Sequence, residues 1–282
     1  MVKRRRNMTD SGSAGINGIE NRIYTPGMYQ KERPSLQGMV ENIFDDWKQK
    51  RHLSGAEAKK QFPVICFSRR IGVGALEIAD ILASQIGYRV IDREIMEYLA
   101  KRNGADPMFA EFVDGHHIPE MEDILAILFG VKTYAKSEYS RLLFRAIFSF
   151  AALGPAIFVG RGAHLILPRE RVLAVRLICS DHFRTARVAD MLKISESDAF
   201  SRLKQLDDDQ ERFFQNIYGV NEGAPDEYDI IINRDFFQDP AQVAEIVKTA
   251  FVQKFGEAHC NAHDESGLEP AKAPENVLIP AV

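Results

Sequence analysis

An arginine set between two glycines is the most specific chemical feature of this sequence. Arg161 follows the apolar run 156–159 and is flanked by Gly160 and Gly162, so it has few neighbours to pack against locally. The planar fork of a guanidinium suits a phosphate group. We therefore predict phosphate binding at Arg161, with a structural ion pair to a carboxylate as the alternative.

Two further arginines follow another apolar run, residues 175–179. Arg184 and Arg187 are three residues apart, which places them on one face of a predicted helix. Cations in this position can stabilise charge on a phosphoryl group during its transfer. The alternative is solvated charge on a surface helix.

A glycine-containing loop follows the first apolar run of the chain, residues 64–67. Glycines between a strand and a helix let backbone N–H groups approach a phosphate, although a tight turn explains them equally well. No lysine occurs between Lys60 and Lys101, so Arg69 and Arg70 are the cations of the loop. The candidate phosphate-binding residues are Ser68, Arg69, Gly72, Val73, Gly74 and Ala75.

An acid and a cation follow the second apolar run, residues 88–91. Asp92 and Arg93 are suited to binding a nucleotide, and an aspartate in this position is equally suited to capping the helix that follows. We give the two roles of Asp92 equal weight.

Short apolar runs alternate with helical patterns along this part of the chain. This alternation predicts an α/β fold with a parallel sheet of about five strands and helices on both faces. The predicted strands are residues 64–67, 88–91, 156–159, 175–179 and 228–232. Ligands of such sheets bind at the carboxyl ends of the strands, where the candidate residues lie.

The regions outside this core have other patterns. We predict a disordered basic tail over residues 1–35, a helix and linker over 36–61, a core over 62–255 and a second disordered tail over 256–282. Within the core, the charged stretch 195–221 predicts a helical hairpin that projects from the sheet. The helix near residues 35–50 has apolar residues at helical spacing, so it packs on the core or binds a protein partner.

Composition excludes several classes of function. A formal net charge of −4 gives no general electrostatic case for binding nucleic acid or a membrane. Three scattered cysteines do not make a disulfide framework, which favours a reducing compartment, and we expect the cytoplasm. Cysteines and histidines have no metal-ligand spacing, and His116–His117 lacks a third ligand, so we predict no metal site of the protein's own.

Taken in order, these segments resemble the cytidylate kinase-like family. The resemblance covers about residues 62–255 and includes Ser68-Arg69…Gly72-x-Gly74, Asp92-Arg93-Glu94, Gly160-Arg161, the Arg184/Arg187 helix, Asp207…Phe213…Tyr218-Gly219 and Asp229…Asn233. It implies a P-loop fold that transfers a phosphate from ATP, with Mg²⁺, to a nucleoside monophosphate, with CMP or dCMP the first acceptor to test.

The resemblance also implies roles for individual residues. Residues 68–75 would form the phosphate loop, Asp92 and Arg93 would lie at the monophosphate site, and Arg161 would hold the acceptor phosphate. Arg184 and Arg187 would lie near the transferring phosphates. The stretch 195–219 would form a lid. Arg212 would replace an arginine that is missing from this lid if the helix register shifts.

The sequence also departs from the family pattern. The usual Gly-Ser-Gly-Gly loop is Gly72-Val73-Gly74-Ala75 here, so the loop lacks a hydroxyl and its last glycine. The acid that follows Gly-Arg in cytidylate kinases is replaced by Gly162, and a lid arginine by Gln210. These departures leave two alternatives to an enzyme, which are a kinase-like nucleotide sensor and a scaffolding protein.

Overall fold

The computed structural model describes residues 36–51, 62–101, 137–221 and 223–260. The strands are β1 (Val64–Arg69), β2 (Arg89–Asp92), β3 (Ala156–Val159), β4 (Val172–Ile178) and β5 (Ile230–Asn233). The helices are α1 (Leu36–Arg51), α2 (Ala75–Ile86), α3 (Arg93–Lys101), α4 (Glu138–Leu153), α5 (Ala163–Ile166), α6 (Asp181–Leu192), α7 (Glu196–Ile217) and α8 (Pro240–Phe255). Single 3₁₀ turns cover Arg169–Arg171, Pro225–Glu227 and Glu257–His259.

The strands form one parallel sheet in the order β2-β3-β1-β4-β5. All four residues of β3 and the first five of β1 are buried, as expected of strands covered on both faces. One apolar cluster lies on the face covered by α1, α3, α4 and α5, and a second lies on the face covered by α2 and α8. The predicted fold class is therefore confirmed.

Two strands begin more than one residue away from their predicted start. β4 begins at Val172 rather than Val175, because residues 172–174 pair in register with the start of β1. β5 begins at Ile230 rather than Tyr228, because the side chain of Asp229 accepts a hydrogen bond from Ala174 N (2.8 Å) just before the strand.

The stretch predicted as a helical hairpin is one continuous helix. Ser195 caps α7 by accepting a hydrogen bond from Asp198 N at 3.1 Å. The 22 residues that follow contain no glycine or proline that would interrupt the helix. Leu203 on α7 packs with Ile71 and Val188, which places α7 against α6 and the loop after β1.

The helix near residues 35–50 packs on its own core. Val40, Ile43 and Phe44 of α1 are buried in the cluster with α3 and α4, so this part of the apolar face packs on the core. At the other end, the turn after α8 buries Cys260, so ordered structure extends past residue 255. The predictions for residues 1–35, 52–61 and 261–282, and for His116–His117, lie outside the described residues.

No helix in the described ranges is long and apolar enough to cross a membrane. Nor do the same ranges contain three histidine, cysteine or acidic side chains grouped so as to hold a metal ion.

Candidate active site

The loop between β1 and α2 turns sharply at two glycines. Gly72 and Gly74 have φ of 87° and 83°, in the left-handed region that favours glycine. A Cβ atom on Gly72 would lie 3.2 Å from side-chain carbons of Arg184, Val188 and Leu203, so the loop is closely packed as well as sharply turned. Because Gly74 is the N-cap of α2, the unpaired amides at the start of this helix face the same edge of the sheet.

The other loop candidates have structural contacts. Val73 and Ala75 are buried in the apolar cluster on the α2 face. The Ser68 hydroxyl is also buried, and it accepts hydrogen bonds from Arg176 Nη1 and from the Tyr228 hydroxyl at 3.1 Å. Ser68 therefore does not supply the hydroxyl that the loop lacks.

Arg187 is the cation that covers this loop. Its guanidinium lies 3.2 Å from the position of a Cβ atom on Gly74, and its Nη1 donates to Gly72 O at 3.4 Å. The partner carboxylate is Glu77, in the first turn of α2, at 3.1 Å. The sequence predicted Arg69 and Arg70 as the cations of this loop, whereas the structure places Arg187 over it.

Arg184 has a different environment from Arg187. It is 4% exposed and pairs with Asp181 on its own helix at 2.6 Å and with Asp207 of α7 at 2.5 Å. The hydrogen bond from Arg184 is the main reason that the pKa of Asp181 lies below its ordinary value. Arg184 thus holds α6 and α7 together beside the loop.

A cleft lies at the carboxyl ends of β1, β2 and β3. Its volume is about 310 Å³, and it is lined by Arg69, Arg93, Glu97, Arg161, Leu206, Asp209, Gln210, Phe213 and Phe214. Three of these residues are arginines predicted from the sequence. The cleft has the dimensions and the charge to hold a phosphate-bearing ligand.

Arg161 lies inside this cleft in an uncommon backbone conformation. Its φ is 55°, which is rare for a residue with a side chain and marks positions that function often requires. The guanidinium pairs with Glu97 and lies 3.9 Å from the ring centroid of Phe213, while Nε has no hydrogen-bond partner among the described residues. The ion pair predicted as the alternative role of Arg161 is thus present.

The charge of Arg161 is poorly compensated. Burial, and then the positive charges of Arg93 and Arg69, lower its pKa to about 9. Glu97 is shared, because Arg93 Nε also lies 3.7 Å from the same Oε1 atom, while Arg93 has a second carboxylate, Glu94, at 3.4 Å. A bound anion would add negative charge beside Arg161.

Arg69 also turns towards this cleft. Its Nη1 donates to Gln210 Oε1, and Gln210 Nε2 donates back to Arg69 O at 3.3 Å. The guanidinium lies 3.6 Å from the position of a Cβ atom on Gly160, next to Arg161. The structure therefore places Arg69 with the acceptor candidates rather than over the glycine loop.

The remaining predicted residues divide between the cleft and the scaffold. Asp92 caps α3 by accepting hydrogen bonds from Glu94 N and Ile95 N, both at 3.0 Å, which is the structural alternative considered above. Arg93 lines the cleft. Arg212 is not brought to the site, because its side chain is 68% exposed and pairs with Asp209 at 2.5 Å.

The glycine that replaces the family acid is required by close packing. A Cβ atom on Gly162 would lie 2.7 Å from the ring of Tyr218, so no side chain fits at this position. The Tyr218 hydroxyl donates to Arg161 O at 2.5 Å. Tyr218 thus occupies the space of a residue 162 side chain and fixes the turn that carries Arg161.

Sequence reasoning missed Glu97 as a site residue. Its signal was its spacing, since it follows Arg93 by one helical turn and therefore shares its face of α3.

The order of these features along one sheet edge agrees with comparisons to known proteins. A family model described as the cytidylate kinase-like family matches residues 64–235. The chain belongs to the cytidylate kinase-like family. The matched range includes all five strands, the glycine loop, the arginine cleft and α7, whereas α1 and α8 lie outside it.

Solved structures give more distant matches. An uncharacterized protein from Eubacterium ventriosum is 18% identical with a TM-score of 0.48, and the match covers 67% of this chain and 99% of that one. Shikimate kinase from Bacteroides thetaiotaomicron is 13% identical with a TM-score of 0.34, covering 68% and 96%. A search of curated proteins found no match. Membership of the cytidylate kinase-like family, taken with the sheet, makes the chain a nucleotide kinase-like protein.

Proposed function

We propose that this protein transfers the terminal phosphate of ATP to a nucleoside monophosphate, with CMP or dCMP the first acceptor to test. One observation carries the proposal: two phosphate-suited features adjoin each other at one sheet edge. The glycine loop follows β1 and the Arg161 turn follows β3, and these strands are neighbours in the sheet. A donor phosphate chain on the loop would therefore point towards an acceptor phosphate in the cleft.

The donor side fits a triphosphate through its backbone. Amides at the start of α2 would bind phosphate oxygens, and Arg187 would supply the positive charge of the absent lysine. Mg²⁺ would arrive with ATP, and phosphate oxygens and water would hold most of it, because the described residues include no ready metal cluster. When bound, the ion neutralises charge on the phosphate chain.

The acceptor side fits a monophosphate through its arginines. Arg161, Arg93 and Arg69 would surround the acceptor phosphate, and this anion would take Arg161 from Glu97. An acceptor oxygen attacks the terminal phosphorus of ATP, a new P–O bond forms, and the bond to the leaving ADP breaks. A phosphate oxygen is already ionised at neutral pH, so alignment and charge compensation suffice without a general base.

The base of the acceptor is the least constrained part of the proposal. Cytidylate kinases have an acid at the position of Gly162, and Tyr218 fills that space here. The acceptor test should therefore compare all the common monophosphates.

A coupled assay of ADP production tests the proposal. Purified full-length protein is given ATP, Mg²⁺ and each ribonucleoside and deoxyribonucleoside monophosphate in turn, and calorimetry measures binding of the same ligands. We expect turnover with at least one monophosphate, and its loss in Arg161→Ala but not in Arg141→Gln, a control on the exposed face of α4. Absence of ADP production with every monophosphate would refute transfer.

A second candidate is a nucleotide sensor that binds without turnover. The observation that favours it is the position of Arg212, which is exposed and paired with Asp209 while Gln210 occupies the cleft. In that case calorimetry would detect a nucleotide while the coupled assay stays at background. The coupled assay and calorimetry together distinguish a protein that transfers phosphate, one that only binds a nucleotide and one that does neither.

A further inference from the structure

A fully buried arginine, Arg234, belongs neither to the glycine loop nor to the arginine cleft. Arg234 directly follows β5, and its amide donates to Ile178 O at 2.8 Å, which fixes its backbone at the carboxyl edge of the sheet. It is 2% exposed and is among the largest side chains that the described part of the fold buries. Arginine is seldom buried to this extent unless it is paired.

The guanidinium of Arg234 is only partly satisfied. Nη2 donates to Gln238 O at 2.9 Å, and CZ lies 5.7 Å from the ring centroid of Phe183 on α6. Nε and Nη1 have no hydrogen-bond partner among the described residues. Buried donors without partners are rare in proteins and costly, so each one points to a missing acceptor.

The electrostatic surroundings of Arg234 do not supply this acceptor. Burial and then the charge of Arg187 lower the pKa of Arg234, while the charges of Glu77 and Asp239 act in the opposite direction. Glu77 pairs with Arg187 at 3.1 Å, and no carboxylate of the described residues lies within ion-pair distance of Arg234. Arg234 is therefore a buried cation without a carboxylate partner in the described part of the chain.

We propose that Arg234 and Arg187 form an anion subsite that takes an inner phosphate group of the donor nucleotide, on the β5 side of the glycine loop. Arg187 covers Gly74 and lies one turn along α6 from Phe183, the residue whose ring is next to Arg234, so a phosphate chain on the loop that continues towards β5 would approach both arginines. A planar guanidinium with two unused donors matches two oxygens of one phosphate group. The identity of the ligand as a nucleotide rests on the proposed function, whereas the subsite itself requires only a phosphate chain.

Calorimetry with two probes tests the subsite. ATP and inorganic tripolyphosphate are titrated into the full-length protein and into Arg234→Gln, Arg234→Lys and the control Arg141→Gln. We expect Arg234→Gln to weaken both probes by about tenfold to a hundredfold, as for a lost charged hydrogen bond. The affinities of Arg234→Lys for both probes should lie between those of Arg234→Gln and the wild type, and those of Arg141→Gln should equal the wild-type values. CMP binding in the acceptor cleft should not change.

Melting temperatures keep the test informative if Arg234→Gln folds poorly. Tripolyphosphate should raise the melting temperature of the wild type, and this rise should shrink in Arg234→Lys. A variant that melts lower but binds both probes as the wild type does would make Arg234 a structural residue and overturn the proposal. No rise in the wild type would overturn it as well.

The outcomes also separate this proposal from the proposed function. Tripolyphosphate binding that depends on Arg234, in a protein without turnover, would support the subsite and refute transfer. Turnover with an unchanged KM for ATP in Arg234→Gln would support transfer and refute the subsite.

Discussion

Two arginine clusters of this protein look alike in sequence and differ in how their central arginine is paired. In the matched cluster, at the contact between α6 and α7, Arg184 meets both Asp181 and Asp207, which also meet Arg70. In the cleft, Arg161 meets one carboxylate, Glu97, which it shares with Arg93, and its Nε has no hydrogen-bond partner among the described residues. We therefore expect Arg184 to act as a structural joint and Arg161, which keeps an unused donor, to bind a ligand.

The largest expected effect comes from breaking the matched cluster. Arg184→Ala leaves Asp207 without its main partner beside a packed loop, so we expect the free energy of unfolding to fall by about 3 kcal/mol, as for other partly buried ion pairs that lose one member. Chemical denaturation measures this change. A loss below about 1 kcal/mol, the value of a surface pair, would show that Arg184 is not a structural joint.

Removing Arg161 should weaken ligand binding more than it lowers stability, the opposite of the Arg184 variant. We expect Arg161→Ala to raise the monophosphate dissociation constant by about tenfold to a hundredfold, because a charged hydrogen bond to phosphate is lost. Arg161→Lys should recover only part of the lost monophosphate affinity, since lysine lacks the two-pronged geometry of the guanidinium. Calorimetry and a melting curve are read together. A much lower melting temperature with unchanged affinity would assign Arg161 to structure.

Glu97 should oppose ligand binding in the cleft. In Glu97→Gln the carboxylate no longer competes with an incoming phosphate for Arg161, so monophosphate affinity should rise by about threefold to tenfold. This gain is the sharpest distinction between the clusters, because removing Asp207 from the matched cluster should never improve binding. Weaker monophosphate binding in Glu97→Gln would mean that Glu97 positions Arg161 for the ligand.

Arg212 should show the smallest effect. Its side chain is mostly exposed and pairs only with Asp209 one turn away, a type of contact that contributes about 0.5 kcal/mol or less. Arg212→Ala should keep nucleotide affinity and turnover within about twofold of the wild type. A larger loss of turnover with unchanged binding would indicate that α7 shifts to bring Arg212 into the site during the reaction.

The sheet was predictable because each strand is a short, uniformly apolar run. Parallel topology then places the ends of β1, β2 and β3 at one edge, which is why Arg93 and Arg161 were found. Side-chain direction was not predictable. Arg69 turns to the cleft because of Gln210, 141 residues further along the chain, and no local pattern encodes that contact.

Local sequence patterns could not predict the helix caps or the side-chain pairings for the same reason. Asp92 had two equally weighted roles, and only the positions of Glu94 N and Ile95 N show that it caps α3. Arg234 was passed over, because its unpaired donors become visible only once Phe183 and Arg187 are folded around it. The hairpin predicted within residues 195–221 is one helix in the structure, and the sequence did not distinguish the two because a charged surface helix and a hairpin give similar patterns.

The unbroken helix α7 connects the glycine loop to the arginine cleft. Leu203 rests on the glycine loop, Gln210 holds Arg69, and Phe213 lies against Arg161. These contacts span about 15 Å of one helix, at about 1.5 Å per residue. Because α7 contains no glycine or proline that would act as a hinge, a movement of this helix at the glycine loop would also change its contacts with Arg69 and Arg161.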